Sequence, residues 1–453
     1  MSADPTKQAT PRRSSPVPVN DEPYLTLAAD LEAQAVADRR DIHRHAEAGW
    51  LEFRTTATIV DRLRSLGWTV RWGKDLYGDV DRLGVPSGAE LDACFDRALA
   101  EGADPSVLEP MRGGWTGCVA DLDGTGPGPR VALRFDIDGL PVPEATTDDH
   151  LPTREGFASV HPGIMHACGH DAHTAMGLGV AEALARTQER WPGTVRLVFQ
   201  PGEEGTRGAA SMVAAGLLDG VDAFLAPHVG AQSRRTGEII PGISGFLATR
   251  KLDVHFTGRE AHAGLAPEEG HNALIAAAAA ALQLHAMPRH AGGNSRVNVG
   301  VLRAGTGRNV VAGSATMLME LRSESADVVA ELERRARLVV AGTAAAHEVG
   351  SEFIVAGKAP SARSDDVAMD AVARAARGVP GVDEVSEPCV AEASDDATAM
   401  MRRVQEQGGV ASYLIVGTEL PDGHHTPRFD VDERVLRPGI AVMTRAAVDL
   451  LTR

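Results

Sequence analysis

Four side chains that can bind a metal lie within eight positions near the middle of the chain. They are His166, Cys168, His170 and His173. The thiolate of Cys168 and the imidazole of His170 stand two residues apart on a loop that Gly169 loosens, so both can turn towards one cation. Zn²⁺ and the neighbouring first-row metals accept sulfur and nitrogen donors. The segment therefore favours metal binding, and a polar loop whose histidines cap a helix is the alternative.

Two adjacent carboxylates, Glu203 and Glu204, come shortly after a buried-type strand that ends at Gln200. Side by side at a strand end, they would repel each other unless a positive charge lies there. One of them can bind a cation while the other stays free to move protons. The alternative is a solvated acidic turn.

Histidines stand at two further strand ends. His228 directly follows the predicted strand Ala223–Pro227, and His424 and His425 come after the predicted strand Ala411–Val416. A lone histidine at such a position is usually structural, and each of these elements is weak alone. Together with the preceding donors, they supply sulfur, nitrogen and oxygen atoms in about the number that two metal ions need.

These donors need a sheet that gathers its strand ends. The hydrophobic pattern predicts strands that alternate with helices, which indicates βαβ units and a largely parallel sheet. The strands are predicted at Arg130–Phe135, Gly193–Gln200, Ala223–Pro227 and Ala411–Val416, and the helices at Thr26–Glu47, His173–Arg190, Asp366–Arg377 and from Pro438 onwards. In such sheets the active site lies at the carboxyl ends of the strands.

The pattern changes between residues 245 and 357. Strands are predicted there at Lys251–Phe256, Arg296–Leu302 and Ala315–Arg322, with helices at Asn272–Met287 and Asp327–His347. Two β-α-β halves of this kind predict a compact α+β domain inserted into the first. We therefore expect an α/β catalytic domain in residues 23–244 and 358–453, an inserted lid in residues 245–357, and a disordered tail in residues 1–22.

Composition narrows the class of protein. The chain has 453 residues, a formal net charge of −17 and 43% hydrophobic residues, as expected for a globular protein with more than one domain. The acidic balance argues against a nucleic-acid partner, because phosphate neutralisation needs a surplus of Lys and Arg. No apolar run is long enough to span a membrane. Four cysteines without a signal peptide predict reduced thiols in the cytoplasm.

At its candidate metal ligands the chain resembles the M20 metallopeptidase superfamily. More narrowly, it is similar to the amidohydrolase branch that contains hippurate, auxin-conjugate and p-aminobenzoyl-glutamate hydrolases. The similarity is carried by the motifs Met165–Thr174, Gln200–Gly205 and His425–Pro427, and it extends from about Leu25 to the C-terminus. The stretches Ser295–Val301 and Ala304–Val311, and the long segment Gly73–Gly113, most resemble the p-aminobenzoyl-glutamate hydrolases.

The resemblance implies a di-metal, peptidase-like catalytic domain with an inserted lid that also dimerises. The implied ligands of two divalent ions, Mn²⁺ or Zn²⁺, are Cys168, His170, Glu204, His228 and His425. Glu203 would be the general base and acid, and His262 the lid histidine that helps to polarise the scissile carbonyl, within one chain or across a dimer. Asn309 and Arg322 match lid positions that hold a substrate carboxylate, and a turn asparagine and a solvated arginine are the alternative.

The implied reaction is metal-dependent hydrolysis of the amide bond of an N-acyl amino acid, above all p-aminobenzoyl-glutamate or a similar aroyl or acyl amino acid. The expected assembly is a homodimer, or a heteromer with a homologous chain. A dipeptidase or another N-acyl-amino-acid hydrolase of the superfamily is the alternative. Two other classes stay open: a cysteine hydrolase with Cys168 as nucleophile beside His170 or His173, and a non-catalytic partner subunit.

The chain departs from the superfamily pattern at one ligand position and leaves another ambiguous. Many members have His-x-Asp-x-x-Pro where this chain has Asp136–Pro141, so no histidine ligand stands there, which is consistent with a ligand role for Cys168. The pair His424 and His425 gives two candidates for the last imidazole. We prefer His425 because it precedes Thr-Pro.

Overall fold

A computed structural model of the chain describes residues 22–78, 80–391 and 393–453. The disordered tail expected for residues 1–22 lies outside the described residues, apart from Glu22, which begins the first helix. None of the described helices has the length and apolar composition that a membrane crossing requires.

The described residues fold into alternating helices and strands. The helices are α1 Glu22–Arg44, α2 Phe53–Ser65, α3 Lys74–Tyr77, α4 Gly88–Ala100, α5 Pro105–Leu108, α6 Leu151–Glu155, α7 His170–Arg186, α8 Gly208–Ala214, α9 Ala273–His285, α10 Ala326–Ala346, α11 Asp366–Ala376, α12 Ala397–Glu406 and α13 Leu436–Leu451. The strands are β1 Thr69–Trp72, β2 Cys118–Asp123, β3 Arg130–Asp136, β4 Thr194–Gln200, β5 Ala223–Val229, β6 Glu238–Ile240, β7 Ile243–Ser244, β8 Ala248–Thr257, β9 Ser295–Ala304, β10 Ser314–Ser323, β11 Gly350–Ala359, β12 Glu384–Val385, β13 Cys389–Val390 and β14 Val410–Val416.

The larger sheet has eight strands in the order β1-β2-β4-β3-β5-β14-β6-β12. Its four central strands, β4, β3, β5 and β14, run parallel to one another, which confirms the predicted α/β class. The antiparallel edge strands β1 and β2 were not predicted from the sequence. β1 spans only four residues and is exposed or half-buried throughout, so its pattern carries little signal.

Helix α7 packs on the larger sheet, against β3, β4 and β5, and is buried from His170 to Leu184. It starts three residues before the predicted His173, because Gly169 turns the chain into the helix with a φ of +91°. A Cβ atom at Gly169 would lie 2.4 Å from Val229, so a larger residue cannot approach the end of β5 as closely. The early start brings His170 to the end of the sheet.

Residues 248–359 contain a second, antiparallel sheet of four strands in the order β11-β8-β10-β9. Helices α9 and α10 pack on one of its faces and share a core with side chains such as Leu252, Met317 and Leu321. Alternate residues point to opposite faces of a strand. Lys251 and Glu320, which are neighbours in register, therefore occupy the other face.

A substitution at Gly177 in α7 tests how tightly this helix packs on the larger sheet. A Cβ atom there would lie 2.7 Å from Cδ2 of Phe135 and 2.8 Å from Cε1 of Phe199, both fully buried. We expect Gly177→Ala to lower the free energy of unfolding by about 1–3 kcal/mol, because overpacking outweighs the better helix propensity. Denaturant titration measures the change.

The matched control is Gly342→Ala in α10, where a Cβ atom would meet nothing within 4 Å. That variant should raise the free energy of unfolding by about 0.5–1 kcal/mol through helix propensity alone. If both glycines respond alike to substitution, α7 is not packed on β3 and β4 as described.

Candidate metal centre

The predicted donors lie at the carboxyl ends of neighbouring strands. Glu203 and Glu204 come after β4, His228 is the penultimate residue of β5, and His425 lies in the loop that follows β14. Cys168 lies two residues before α7, the helix that follows β3 and α6 along the chain. Since β4, β3, β5 and β14 are adjacent and parallel, their carboxyl ends meet at one edge of the sheet.

Two groups of donor atoms meet there. Sγ of Cys168 lies within 4.8 Å of ligand atoms of His170 and His228 in one group, and of Glu204 and His425 in the other. Sγ of Cys168 is 3.6 Å from Nε2 of His228, and Nε2 of His425 is 3.2 Å from Oε1 of Glu204. The structure therefore brings all five predicted ligands together, with Cys168 common to both groups.

Hydrogen bonds to the backbone orient two of the imidazoles. Nδ1 of His170 lies 2.8 Å from the carbonyl oxygen of Asp138, and Nδ1 of His228 lies 2.8 Å from the carbonyl oxygen of Val229. A carbonyl can only accept, so each Nδ1 carries the proton and donates it. Each Nε2 then presents a lone pair towards the cluster, which is the arrangement of a metal-binding histidine.

The cluster contains buried polar atoms whose hydrogen bonds are incomplete. Nε2 of His170 is buried and has no hydrogen-bond partner among the described residues, and the buried Oε1 of Glu204 has only the imidazole of His425 near it, at 3.2 Å. Leaving such atoms unpaired costs about 1–3 kcal/mol each. A divalent cation among these sulfur, nitrogen and oxygen donors would satisfy them. The residues present thus fit a metal centre.

His424 and His425 occupy different positions beside the cluster. Nε2 of His424 accepts a hydrogen bond from the backbone N–H of Ala231 at 2.9 Å, while its Nδ1 lies 3.5 Å from Sγ of Cys168. His425 has a φ of +63°, and its half-exposed side chain reaches Glu204. Only His425 of this pair belongs to a group of candidate ligands within the described residues.

Asp138 holds the two adjacent glutamates in place. Its Oδ1 accepts from the backbone N–H of Glu203 at 3.0 Å, and its Oδ2 accepts from that of Glu204 at 2.9 Å. Oε2 of Glu203 lies 4.0 Å from Nε2 of His170, and Glu203 also forms a candidate ligand group with His170 and Glu204. Burial, followed by the negative charges of Asp395 and Glu204, raises the pKa of Glu203 well above its usual range. A carboxylate with a raised pKa is suited to accept and release a proton.

A buried ion-pair cluster lies under Glu203 and was not predicted from the sequence. The fully buried Arg134 contacts Asp136 at 2.6 Å and both Asp395 and Asp396 at 3.3 Å. Ligand atoms of Glu203, Asp395 and Asp396 lie within 4.8 Å of one another. The available signals were an arginine inside an apolar strand and two adjacent aspartates before α12.

The structure argues against a cysteine hydrolase in which His173 activates Cys168. Burial and the charge of Glu204 raise the pKa of the Cys168 thiol, whereas a reactive cysteine needs a lowered pKa. His173 cannot serve as the base, because its Nδ1 contacts Asp136 and its Nε2 accepts from the N–H of Val229 at 2.8 Å.

Arg322 lies near the cluster, and two other lid residues do not. Arg322 lines a cavity of about 190 Å³ together with Cys168, Glu203 and His228. His262 and Asn309 are exposed, lie in the loops after β8 and β9, and line neither this cavity nor the adjoining groove. Their loops contact each other, since the N–H of Ala263 donates to the carbonyl oxygen of Asn309 at 2.9 Å.

A parallel sheet whose strand ends gather such donors around a buried glutamate is typical of a metal-dependent hydrolase. The chain belongs to Peptidase family M20/M25/M40, whose profile matches residues 132–449. This result confirms the predicted family, and the relatives described next confirm the predicted class of enzyme, a hydrolase of amide bonds.

The relatives with known names are similar over almost the whole chain. Indole-3-acetyl-aspartic acid hydrolase of Enterobacter agglomerans is 47% identical over 91% of this chain and 94% of its own length. One of the subunits of the p-aminobenzoyl-glutamate hydrolase of Escherichia coli is 44% identical over 91% of this chain and 94% of its own length. The predicted resemblance to the p-aminobenzoyl-glutamate hydrolases is thus confirmed.

Solved structures share the fold. The aminobenzoyl-glutamate utilization protein of Klebsiella pneumoniae is 40% identical, with a TM-score of 0.81 over 95% of this chain and 98% of its own. A dinuclear metal-binding peptidase of family M20 from Bacillus subtilis is 24% identical, with a TM-score of 0.62 over 93% of this chain and 99% of its own.

A buried ionic network stands behind His170 and should make stability depend on pH. His43 donates to Asp171 at 2.8 Å and to Glu144 at 3.0 Å, and Arg39 donates to Asp171 at 2.8 Å. Burial alone would lower the pKa of His43, but the bonds to Asp171 and Glu144 outweigh burial and raise it to about 9. A raised pKa stabilises the fold fully below the unfolded value of 6.5, and the gain disappears as pH rises through about 9.

We therefore expect the free energy of unfolding to fall by about 2–3 kcal/mol between pH 6.5 and pH 10 in the unsubstituted chain. His43→Gln should be less stable at neutral pH and should flatten this slope. The control His347→Gln, at the C-terminal end of α10, should keep the slope. Equal slopes for the unsubstituted chain and His43→Gln would contradict the charged state of His43.

Proposed function

We propose that the chain hydrolyses the amide bond between an aromatic acyl group and an acidic amino acid, as in p-aminobenzoyl-glutamate or indole-3-acetyl-aspartate. The observation that carries the proposal is the convergence of five donors beside the buried Glu203. The names of two relatives that are 44% and 47% identical support the choice of substrate.

Two divalent ions, Mn²⁺ or Zn²⁺, would be held by the donor cluster. The proposed ligands are Cys168, His170, Glu204, His228 and His425. When bound, such a pair lowers the pKa of water towards neutrality and polarises the carbonyl oxygen. The mixed sulfur, nitrogen and oxygen set suits either metal.

Glu203 moves the proton in the proposed reaction. Its carboxylate takes a proton from the attacking water and later gives it to the nitrogen of the leaving amine. Its backbone is fixed by Asp138, and its carboxylate lies in the cavity that Arg322 also lines. Arg322 would bind the α-carboxylate of the amino acid and thereby hold the amide in place.

The four-stranded sheet and its two helices form the proposed lid, residues 245–357 inserted between residues 23–244 and 358–453 of the catalytic domain. We propose that the lid also dimerises. Exposed apolar residues on α9, Leu274, Ile275 and Leu282, are available for that contact. His262 and Asn309 would then act on a substrate bound in a second copy, since neither lines the cavity of its own chain.

Glu203→Gln tests the proton transfer. The amide keeps the size of the side chain but cannot accept the proton from water, so we expect kcat to fall by about 10²–10⁴-fold. Metal content should stay unchanged. Glu352→Gln, a change of the same type at an exposed position of the lid strand β11, should retain most of kcat. Turnover of Glu203→Gln close to that of the parent would refute the assignment.

Removing the metal tests the class of hydrolase. Dialysis against a chelator should abolish turnover, and adding Mn²⁺ or Zn²⁺ should restore it with about two ions bound per chain by elemental analysis. Cys168→Ser should lose metal together with activity. Full turnover of the metal-free chain would instead support a cysteine hydrolase.

The second candidate function is that of a non-catalytic subunit, because one relative is named as one of the subunits of its hydrolase. The complete set of proposed ligands favours a catalytic chain, as a homodimer or with a homologous partner. A dipeptidase is the third candidate. Assays of the chain expressed alone, with aroyl amino acids and dipeptides, separate these cases.

The four cysteines are free. A cytoplasmic location of the protein stays a prediction.

A further inference from the structure

Lys251 is a cation of the active-site region that the proposed mechanism leaves without a role. It lies in β8, directly opposite Glu320 of β10. It lines the cavity of about 190 Å³ at the donor cluster and also a larger groove of about 670 Å³. Glu204 and His425 line both spaces as well, so Lys251 stands where the two spaces meet beside the proposed ligands.

The charges on this face of the lid sheet are distributed unevenly. Nη2 of Arg322 lies 3.0 Å from Oε2 of Glu320, and Nε of Arg322 is buried without a partner among the described residues. No ion pair or hydrogen bond joins Lys251 to a described side chain. The two carboxylates of this face near Lys251, Glu320 and Asp253, line the larger groove. Lys251 and Arg322 are the charged lid residues that line the smaller cavity, so the lid side of that cavity offers positive charge to an anionic ligand.

The register of the sheet places the two cations at a useful separation. Arg322 is paired with Thr249, two residues before Lys251 on the same face of β8. Such diagonal neighbours are roughly 7–8 Å apart at their Cα atoms, and long side chains can converge from there. The two carboxylates of a glutamate or an aspartate can thus be bound by different cations at once.

The larger groove suits the other part of the substrate. Leu140, Pro141 and Leu318 contribute apolar surface to it, and an aromatic acyl group needs such a surface. The amide bond would then lie near Glu204 and His425, which line both spaces, with the amino-acid part towards Arg322 and Lys251.

We propose that Lys251 binds the side-chain carboxylate of the substrate's amino acid, while Arg322 binds its α-carboxylate. Lys251 is then the residue that makes the enzyme select N-acyl glutamate or aspartate over neutral N-acyl amino acids. This inference rests on the proposed function. The inference goes beyond that function by naming the residue that sets the selectivity for acidic amino acids.

The test compares p-aminobenzoyl-glutamate with p-aminobenzoyl-glutamine, which differ only at the side-chain carboxylate. Lys251→Met keeps the length of the stem and removes the charge. We expect kcat/KM for the glutamate substrate to fall about 30- to 100-fold, mainly through KM, because a hydrogen bond between charged groups is lost. The glutamine substrate should change less than about threefold, so the selectivity collapses.

Two controls separate selectivity from damage to the fold. Lys251→Arg keeps the charge and should retain most of the selectivity. Lys358→Met removes an exposed lysine of β11 that lines neither space, and it should leave both substrates unchanged. Thermal unfolding and metal content should be the same in all variants.

The outcomes are distinguishable. A parent chain that hydrolyses both substrates, with a Lys251→Met variant that keeps the parent's selectivity, overturns the role of Lys251 and leaves the proposed function intact. An equal loss on both substrates also overturns it, because Lys251 would then position the site generally. A metal-loaded parent that hydrolyses no N-acyl amino acid, alone or with a homologous partner chain, overturns the proposed function and this inference with it.

Discussion

The rest of the structure depends on one constraint: several candidate metal ligands must be held close together at the carboxyl ends of the parallel strands. Cys168 and its neighbours present sulfur, nitrogen and oxygen atoms within 4.8 Å of one another. Carboxylates at that distance repel one another, and imidazole lone pairs that lack a partner are costly to bury. Parallel strands reduce this cost, because they deliver each donor from a separate, rigid strand end.

Hydrogen bonds from the backbone do much of the holding. The carboxylate of Asp138 binds two consecutive backbone N–H groups, and Glu52 binds that of Gly202 at 2.8 Å. The loop that carries Glu203 and Glu204 is thereby fixed from below. Such outer contacts orient metal ligands and restrict them to one geometry. The lid sheet adds charge to the opposite side of the cavity, where Lys251 and Arg322 face the donors.

The proposed ligands were named from the family resemblance, and their convergence was predictable because each follows a recognisable strand or stands in the Cys168–His173 segment. The central parallel strands were predictable for the same reason, since their apolar runs end at turn signals. The contacts of Arg134 with Asp395 and Asp396 could not be predicted, because they join residues that are more than 250 positions apart. Lys251 was predicted to lie in a strand, but the cavity and the groove that it lines are formed by segments that are far apart in the chain.

The separate functions proposed for Glu203 and Glu204 follow from the environment of each side chain, since the residue type is the same. Both have the same side chain and neighbouring backbones held by one aspartate. Glu204 points to His425, whereas Glu203 lies against the buried aspartates beside Arg134. A ligand and a proton carrier can therefore be adjacent in sequence.

Anomalous X-ray diffraction from crystals of the metal-loaded chain tests the central claim most directly. We expect two anomalous peaks within the cluster, both bounded by the five proposed ligands, with Cys168 Sγ about 2.3 Å from at least one zinc ion. A single peak elsewhere on the molecule, or none in a chain that is fully active, would contradict the claim.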